Sequence, residues 1–151
     1  MNDFKPFEDK LAGLLAALSP AGRRRMTADI AKKLRQRQQQ RIKSQKAPDG
    51  SPFAPRKRQP VRAKKGRIKR EMFAKLRTNR YMKASGSDNA AVVEFTGKVQ
   101  RIARVHQLGL RDKPTRDSTS VDYPARRLLG FNNTSVRDVE NIIIYHLKLM
   151  L

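Results

Sequence analysis

Apolar residues recur over the first 18 positions at Phe4, Phe7, Leu11, Leu14, Leu15 and Leu18, which lays one stripe along a helix. Asp3 stands where its carboxylate can cap that helix. Ser19-Pro20 ends it, since proline cannot continue the hydrogen-bond ladder yet can open a new helix at its first position. A second helix is expected over about residues 20–45. Its apolar seam is thin (Met26, Ile30, Leu34, Ile42), and Arg23, Arg24, Arg25, Lys32, Lys33, Arg35, Arg37, Arg41 and Lys43 coat the rest. Residues 36–40, QRQQQ, show no clear apolar face, so this helix reads as a long cationic surface.

Pro48-Asp49-Gly50 predicts a turn: proline fixes φ, aspartate bonds back to the backbone, and glycine takes positive φ. Phe53, between Pro52 and Pro55, is a lone aromatic able to peg that turn onto the body. Residues 56–70, RKRQPVRAKKGRIKR, have almost nothing apolar to offset ordering entropy and are expected to form a mobile arm. Order is expected again from Glu71, with Met72, Phe73 and Leu76 on a short helical face. Two strands follow at 80–84 and 91–96, joined by a turn at 85–89. Val99, Ile102, Ala103 and His106 then share one face of a helix that Gly109 stops. Residues 110–122 are polar and without period, a loop, with an extended piece at 120–123 leading into Pro124. Ser135 and Asp138 resemble a capping box for a last helix whose stripe is Val136, Val139, Ile142, Ile143, Leu147 and Met150. The expected fold class is α+β: N-terminal helices, a small antiparallel hairpin, and a central short helix with a C-terminal helix packed on it, plus a basic flexible arm. At 151 residues this is one expected domain, with N-terminal helices over 1–46, a basic loop or arm over 47–70 and an α+β body over 71–151.

Charge sharpens the picture. The chain carries 35 Lys and Arg against 13 Asp and Glu, a net charge of +22. Residues 23–80 hold 22 of those cations and three acids, Asp29, Asp49 and Glu71, so a nearly neutral body carries a strongly basic middle. Such a balance favours an anionic partner, a multi-subunit surface or a segment that stays unfolded. With no cysteine and two histidines, a disulfide framework, a thiolate metal site and a His-rich cluster are all excluded. No apolar run approaches the roughly 20 residues of a membrane span, and no signal-peptide pattern opens the chain. The expectation is a soluble protein made in the cytoplasm.

No catalytic constellation emerges. His106 lacks a recognisable nucleophile or base partner, and a histidine bonded to backbone in a core or interface is the simpler reading. His146 lies 40 positions away on another expected helix. Asp112, Asp117 and Asp122 are evenly spaced, yet on a mobile loop they read as a solvated face. The glycines are scattered singly and form no phosphate cradle. The basic tract invites phosphate contact, but it lacks interleaved aromatics for stacking on single strands and any helix-turn-helix, zinc-finger or RNP-like pattern.

Three stretches match one pattern in order and spacing. They are Arg41-Ile42 through Pro48-Asp49-Gly50 to Phe53 and Pro55-Arg56-Lys57; Met72-Phe73 with Lys75-Leu76-Arg77; and Val105-His106-Gln107 with Tyr123-Pro124-Ala125-Arg126 and Leu128-Leu129-Gly130. Together they resemble the phage virion morphogenesis family of temperate contractile-tailed phages and their Mu-like relatives, over about residues 20–150. The resemblance implies a non-enzymatic virion component without cofactor, catalytic residue, metal, membrane or small-molecule substrate. It would be assembled in the bacterial host cytoplasm and act late in tail assembly at the tail end or neck, joining heads to tails. The expected partners are other phage tail or neck proteins and further copies in a homo-oligomeric ring, with packaged DNA as an additional contact. His106, Gln107, Gly109, Pro124, Arg126, Leu129 and Gly130 are the expected interface or structural residues, fixing the loop between them. Arg56, Lys57, Arg58, Lys64, Lys65, Arg67, Lys69 and Arg70 are the expected contacts to an anionic partner. The rival reading is a nucleic-acid-binding protein using segment 56–70.

Overall fold

The computed structural model describes residues 4–56 and 71–149, and within its first helix the side chains of Phe7, Leu11, Leu14, Leu15 and Ala17 lie outside that description. Most of the expected first stripe, the Asp3 cap, Met150 and most of the basic arm therefore fall outside the described residues. Within them the architecture is α+β. Its elements are α1 (Lys5–Ala17), α2 (Pro20–Lys43), β1 (Met82–Gly86), β2 (Ala91–Phe95), α3 (Gln100–Leu108), β3 (Arg111–Asp112), β4 (Val121–Asp122) and α4 (Asn133–Leu149). Strands β1 and β2 form one two-stranded sheet, β3 and β4 another. The chain divides into two compact units, one of residues 1–35, 84–94 and 133–151, the other of 36–83 and 95–132.

The first unit is built on the apolar period of α2 and α4. Leu18, Met26, Ile30, Val139 and Ile143 form a buried cluster, with Leu34, Ala91, Ile142 and Leu147 packed around it. Removing this apolar surface from water is the unit's main stabilisation, about 25 cal/mol for each Å² buried. Thr27 adds a polar tie: its hydroxyl donates to the Ser87 carbonyl at 2.6 Å, fixing the β1–β2 turn against α2. Ser87 in turn closes that turn, donating its N–H to the Ala90 carbonyl at 2.8 Å and accepting the Asn89 and Ala90 N–H groups on its hydroxyl. His146 is buried on α4, and its Nε2 lies 2.7 Å from the Asp29 carboxylate.

In the second unit the Pro48-Asp49-Gly50 turn forms as expected. The Gly50 N–H donates to the Ala47 carbonyl at 2.9 Å, and the Ser51 N–H to the Asp49 carboxylate at 2.9 Å. Phe53 is buried and meets Phe73 edge-on, ring centroids 5.6 Å apart.

Several expectations are corrected. Residues 72–77 are turns instead of a helix, because Phe73 sits at φ 68°, a left-handed conformation that interrupts helical progression. The first strand lies two residues later than its residue pattern suggested. On α3 the buried residues are Ala103 and Val105, while Ile102 is 52% exposed. The loop after Gly109 is a short hairpin: Arg111 pairs with Asp122 and Asp112 with Val121, and the Tyr123 N–H donates to the Leu110 carbonyl at 3.1 Å. Two-residue strands carry no readable alternation, which is why the polar run concealed them. Helix α4 begins at Asn133, ahead of Ser135, and both Ser135 and Asp138 are buried on it.

Candidate functional site

All seven expected interface residues fall in the second unit, and six of them bond to, or stand against, its loop backbone. Helix α3 ends because Gly109 adopts φ 68°, ψ 64°, and its N–H turns back to the Val105 carbonyl. A side chain there would also strike the next segment, since an added Cβ would lie 2.7 Å from the Ala125 nitrogen. This close approach holds the end of α3 against residues 125–130. The Arg126 N–H donates to the His106 carbonyl at 2.7 Å. Gln107 brackets the next peptide units: its Oε1 accepts the N–H of Leu128 at 2.8 Å and of Leu129 at 2.9 Å, while its Nε2 donates to the Leu129 carbonyl at 2.8 Å.

Arg126 is buried, at 6% exposure. Its Nε donates to the Ala54 carbonyl at 2.7 Å and its Nη2 to the Pro55 carbonyl at 3.0 Å, so it fixes the backbone entering the basic tract. Burial, and then the charge of Arg56, hold its pKa below the ordinary guanidinium value. Leu128 is fully buried, Leu129 only half so. Gly130 meets Pro48 so closely that an added Cβ would lie 2.3 Å from the ring. Pro124 is exposed. Of the expected anion contacts, Arg56 is described and exposed; Lys57, Arg58, Lys64, Lys65, Arg67, Lys69 and Arg70 lie outside the described residues.

His106 is half-buried among aromatic rings. Phe73 stands 4.9 Å away at 70° and Tyr123 5.1 Å away at 69°, both edge-on arrangements. Its Nδ1 is buried without a partner among the described residues, contrary to the expected bond to backbone. Burial first, and the nearby Arg126 charge second, lower its pKa from the ordinary 6.5, so the ring is neutral at pH 7. The ring thus packs edge-on against both Phe73 and Tyr123. Asp112 is held by Arg101 at 2.6 Å, and Asp122 lies 3.5 Å from Arg111, so these carboxylates serve the hairpin. Among the described residues no group of three His, Cys, Asp or Glu could hold a metal ion, and no helix is long and apolar enough to cross a membrane.

Sequence reasoning missed the residues on the last turns of α2. Gln38 is buried; its Nε2 donates to the Gly130 carbonyl at 3.0 Å and its Oε1 accepts the Gly130 N–H at 3.2 Å. Arg41 donates to the Lys46 carbonyl at 2.8 Å and the Leu128 carbonyl at 2.5 Å, and also to the Gln38 side chain. Burial, then the charge of Arg127, lower its pKa to about 10, still cationic at neutral pH. Gln45 brackets Met72, accepting its N–H and donating to its carbonyl, each at 2.9 Å. One signal was present. Met26, Ile30, Leu34, Gln38 and Ile42 recur every four residues, and Gln38 occupies the gap in the apolar seam.

Residues 2–148 match a family described as the phage virion morphogenesis family. The chain is 54% identical over 149 residues to a protein named Tail completion protein S of Escherichia phage P2, covering 98% of this chain and 99% of that one. No solved structure matches.

Proposed function

Because the chain belongs to the phage virion morphogenesis family, we propose that it completes the phage tail and joins filled heads to finished tails. It acts by docking on other proteins, with no reaction of its own, as a virion component assembled in the host cytoplasm. The near full-length likeness to a tail completion protein carries this reading. The geometry supports it: glutamine and arginine side chains fix loop backbone in the second unit, which suits a surface that must be presented in one shape. Several copies would form a ring at the tail end. A closed ring uses heterologous contacts, so each copy needs two different faces. The hairpin between Gly109 and Tyr123 and the segment around Arg56 would form a separate surface that seats on a neighbouring tail protein.

The test is electron microscopy of lysates from a phage with an early stop codon in this reading frame, beside wild type and a complemented control. Full heads with separate, normal-length tails, rescued by complementation, are the expected result. Joined particles without the protein would overturn the proposal. Isolated tail ends, imaged next, should carry a ring.

A further inference from the structure

A cleft of about 450 Å³ opens in the second unit, within the range of roughly 300–1,000 Å³ typical of pockets that enclose a ligand. Phe73, His106 and Tyr123 form an aromatic wall, Val121 an aliphatic one, and Arg56 and Arg126 bring positive charge. Arg126 feels the charge of Arg56 in the direction of mutual repulsion. An anion brought to this wall relieves that repulsion. Among the described residues Asp122 is the one carboxylate on the lining; it is 82% exposed and leans toward Arg111.

We propose that this cleft receives an acidic segment of another virion protein, with one aromatic or large aliphatic side chain anchored between Phe73, Tyr123 and Val121 and flanking carboxylates against Arg56. Anchoring by one large apolar side chain in a desolvated pocket with a charged rim is how small interfaces gain most of their affinity. The proposal rests on the tail-completion reading and narrows it to the partner's chemistry. A second copy of this chain, at a net charge of +22, is the electrostatically poorer occupant. A nucleic-acid strand meets Asp122 on the lining, and the three rings already engage one another edge-on instead of offering parallel faces for bases.

The test places the photocrosslinker p-benzoylphenylalanine at Pro114 and, separately, at Val121, both on the cleft lining. Each full-length chain is supplied to the stop-codon phage, the infection is irradiated, and adducts in assembled particles are sequenced by mass spectrometry. Expected are adducts from both positions in one segment of another virion protein, with net negative charge around an aromatic or large aliphatic residue. A synthetic peptide of that segment should bind the purified chain. Val121→Glu and Pro114→Glu, each checked for an unchanged thermal melt, should weaken it at least tenfold. Arg56→Gln should weaken it severalfold and flatten its salt dependence. Adducts to DNA, to a second copy, or to a neutral or basic segment overturn the proposal, as does the absence of adducts in particles that have assembled. The two readings fail separately: joined particles in the stop-codon lysate remove tail completion, whereas separated heads and tails with adducts to DNA remove only the cleft's acidic partner.

Discussion

Gln107 holds both backbone polar groups of Leu129, accepting its N–H at 2.9 Å and donating to its carbonyl at 2.8 Å, while also accepting the N–H of Leu128. A primary amide is the one uncharged side chain that donates and accepts in this paired fashion. Gln107→Ala leaves three backbone groups without a partner, at a cost of about 2–3 kcal/mol. Gln107→Glu keeps the acceptor and loses the donor, so it should fall between the wild type and the alanine variant. Urea unfolding checks this: the midpoint should drop with an unchanged m-value. A loss under about 0.5 kcal/mol would show that water replaces the bracket.

The contact between Gly130 and Pro48 predicts a coupled pair. Gly130→Ala brings a Cβ to 2.3 Å from the proline ring, and overpacking of that kind costs about 1–3 kcal/mol. Pro48→Ala removes the nearest ring atom, Cγ, and leaves Cβ at 2.7 Å. The double variant should therefore recover part of the loss, which a double-mutant cycle measured by thermal unfolding will read. Strict additivity would mean that the turn at residues 47–50 moves freely away.

Arg41 predicts an asymmetry between two conservative changes. Its guanidinium reaches carbonyls in two separate loop segments, those of Lys46 and Leu128. An ammonium cannot span both with the same fork. Arg41→Lys should cost about 1.5–3 kcal/mol, the range for a hydrogen bond to a charged group. By contrast Lys32→Arg, on an exposed position of α2, should leave the midpoint unchanged.

His106 predicts a pH dependence. Its folded pKa lies below the ordinary 6.5, through burial first and Arg126 second. The unfolded chain therefore takes up the proton first. The stability of the neutral ring is fully present above about pH 6.5 and is lost as pH falls through the folded value. His106→Phe keeps a ring between Phe73 and Tyr123 and removes both the titration and the unpartnered Nδ1. At pH 7.5 this variant should be as stable as wild type or more so, and its loss of stability between pH 7.5 and 5.5 should be the smaller. Equal slopes for the two proteins would refute the assignment.

The sequence by itself determined part of the helical framework. The four-residue seam from Met26 to Ile42, the proline at position 20 and the glycine at position 109 are local facts of periodicity and backbone freedom, and they specify α2 and the end of α3 without help from distant residues. The same holds for the β1–β2 turn and for the family resemblance, carried by short stretches in fixed order. Tertiary structure decided the site. The burial of Gln38 and Arg126 and the half-burial of Arg41 depend on partners tens of positions away, and Phe73 in a left-handed conformation and the two-residue β3–β4 pairing leave no periodic trace. A polar side chain satisfied by a distant carbonyl reads, in the sequence, like one satisfied by water. The +22 charge concealed that two of its arginines spend their donors on the protein's own loops. Local pattern encodes local geometry, whereas hydrogen-bond satisfaction is a property of the folded neighbourhood.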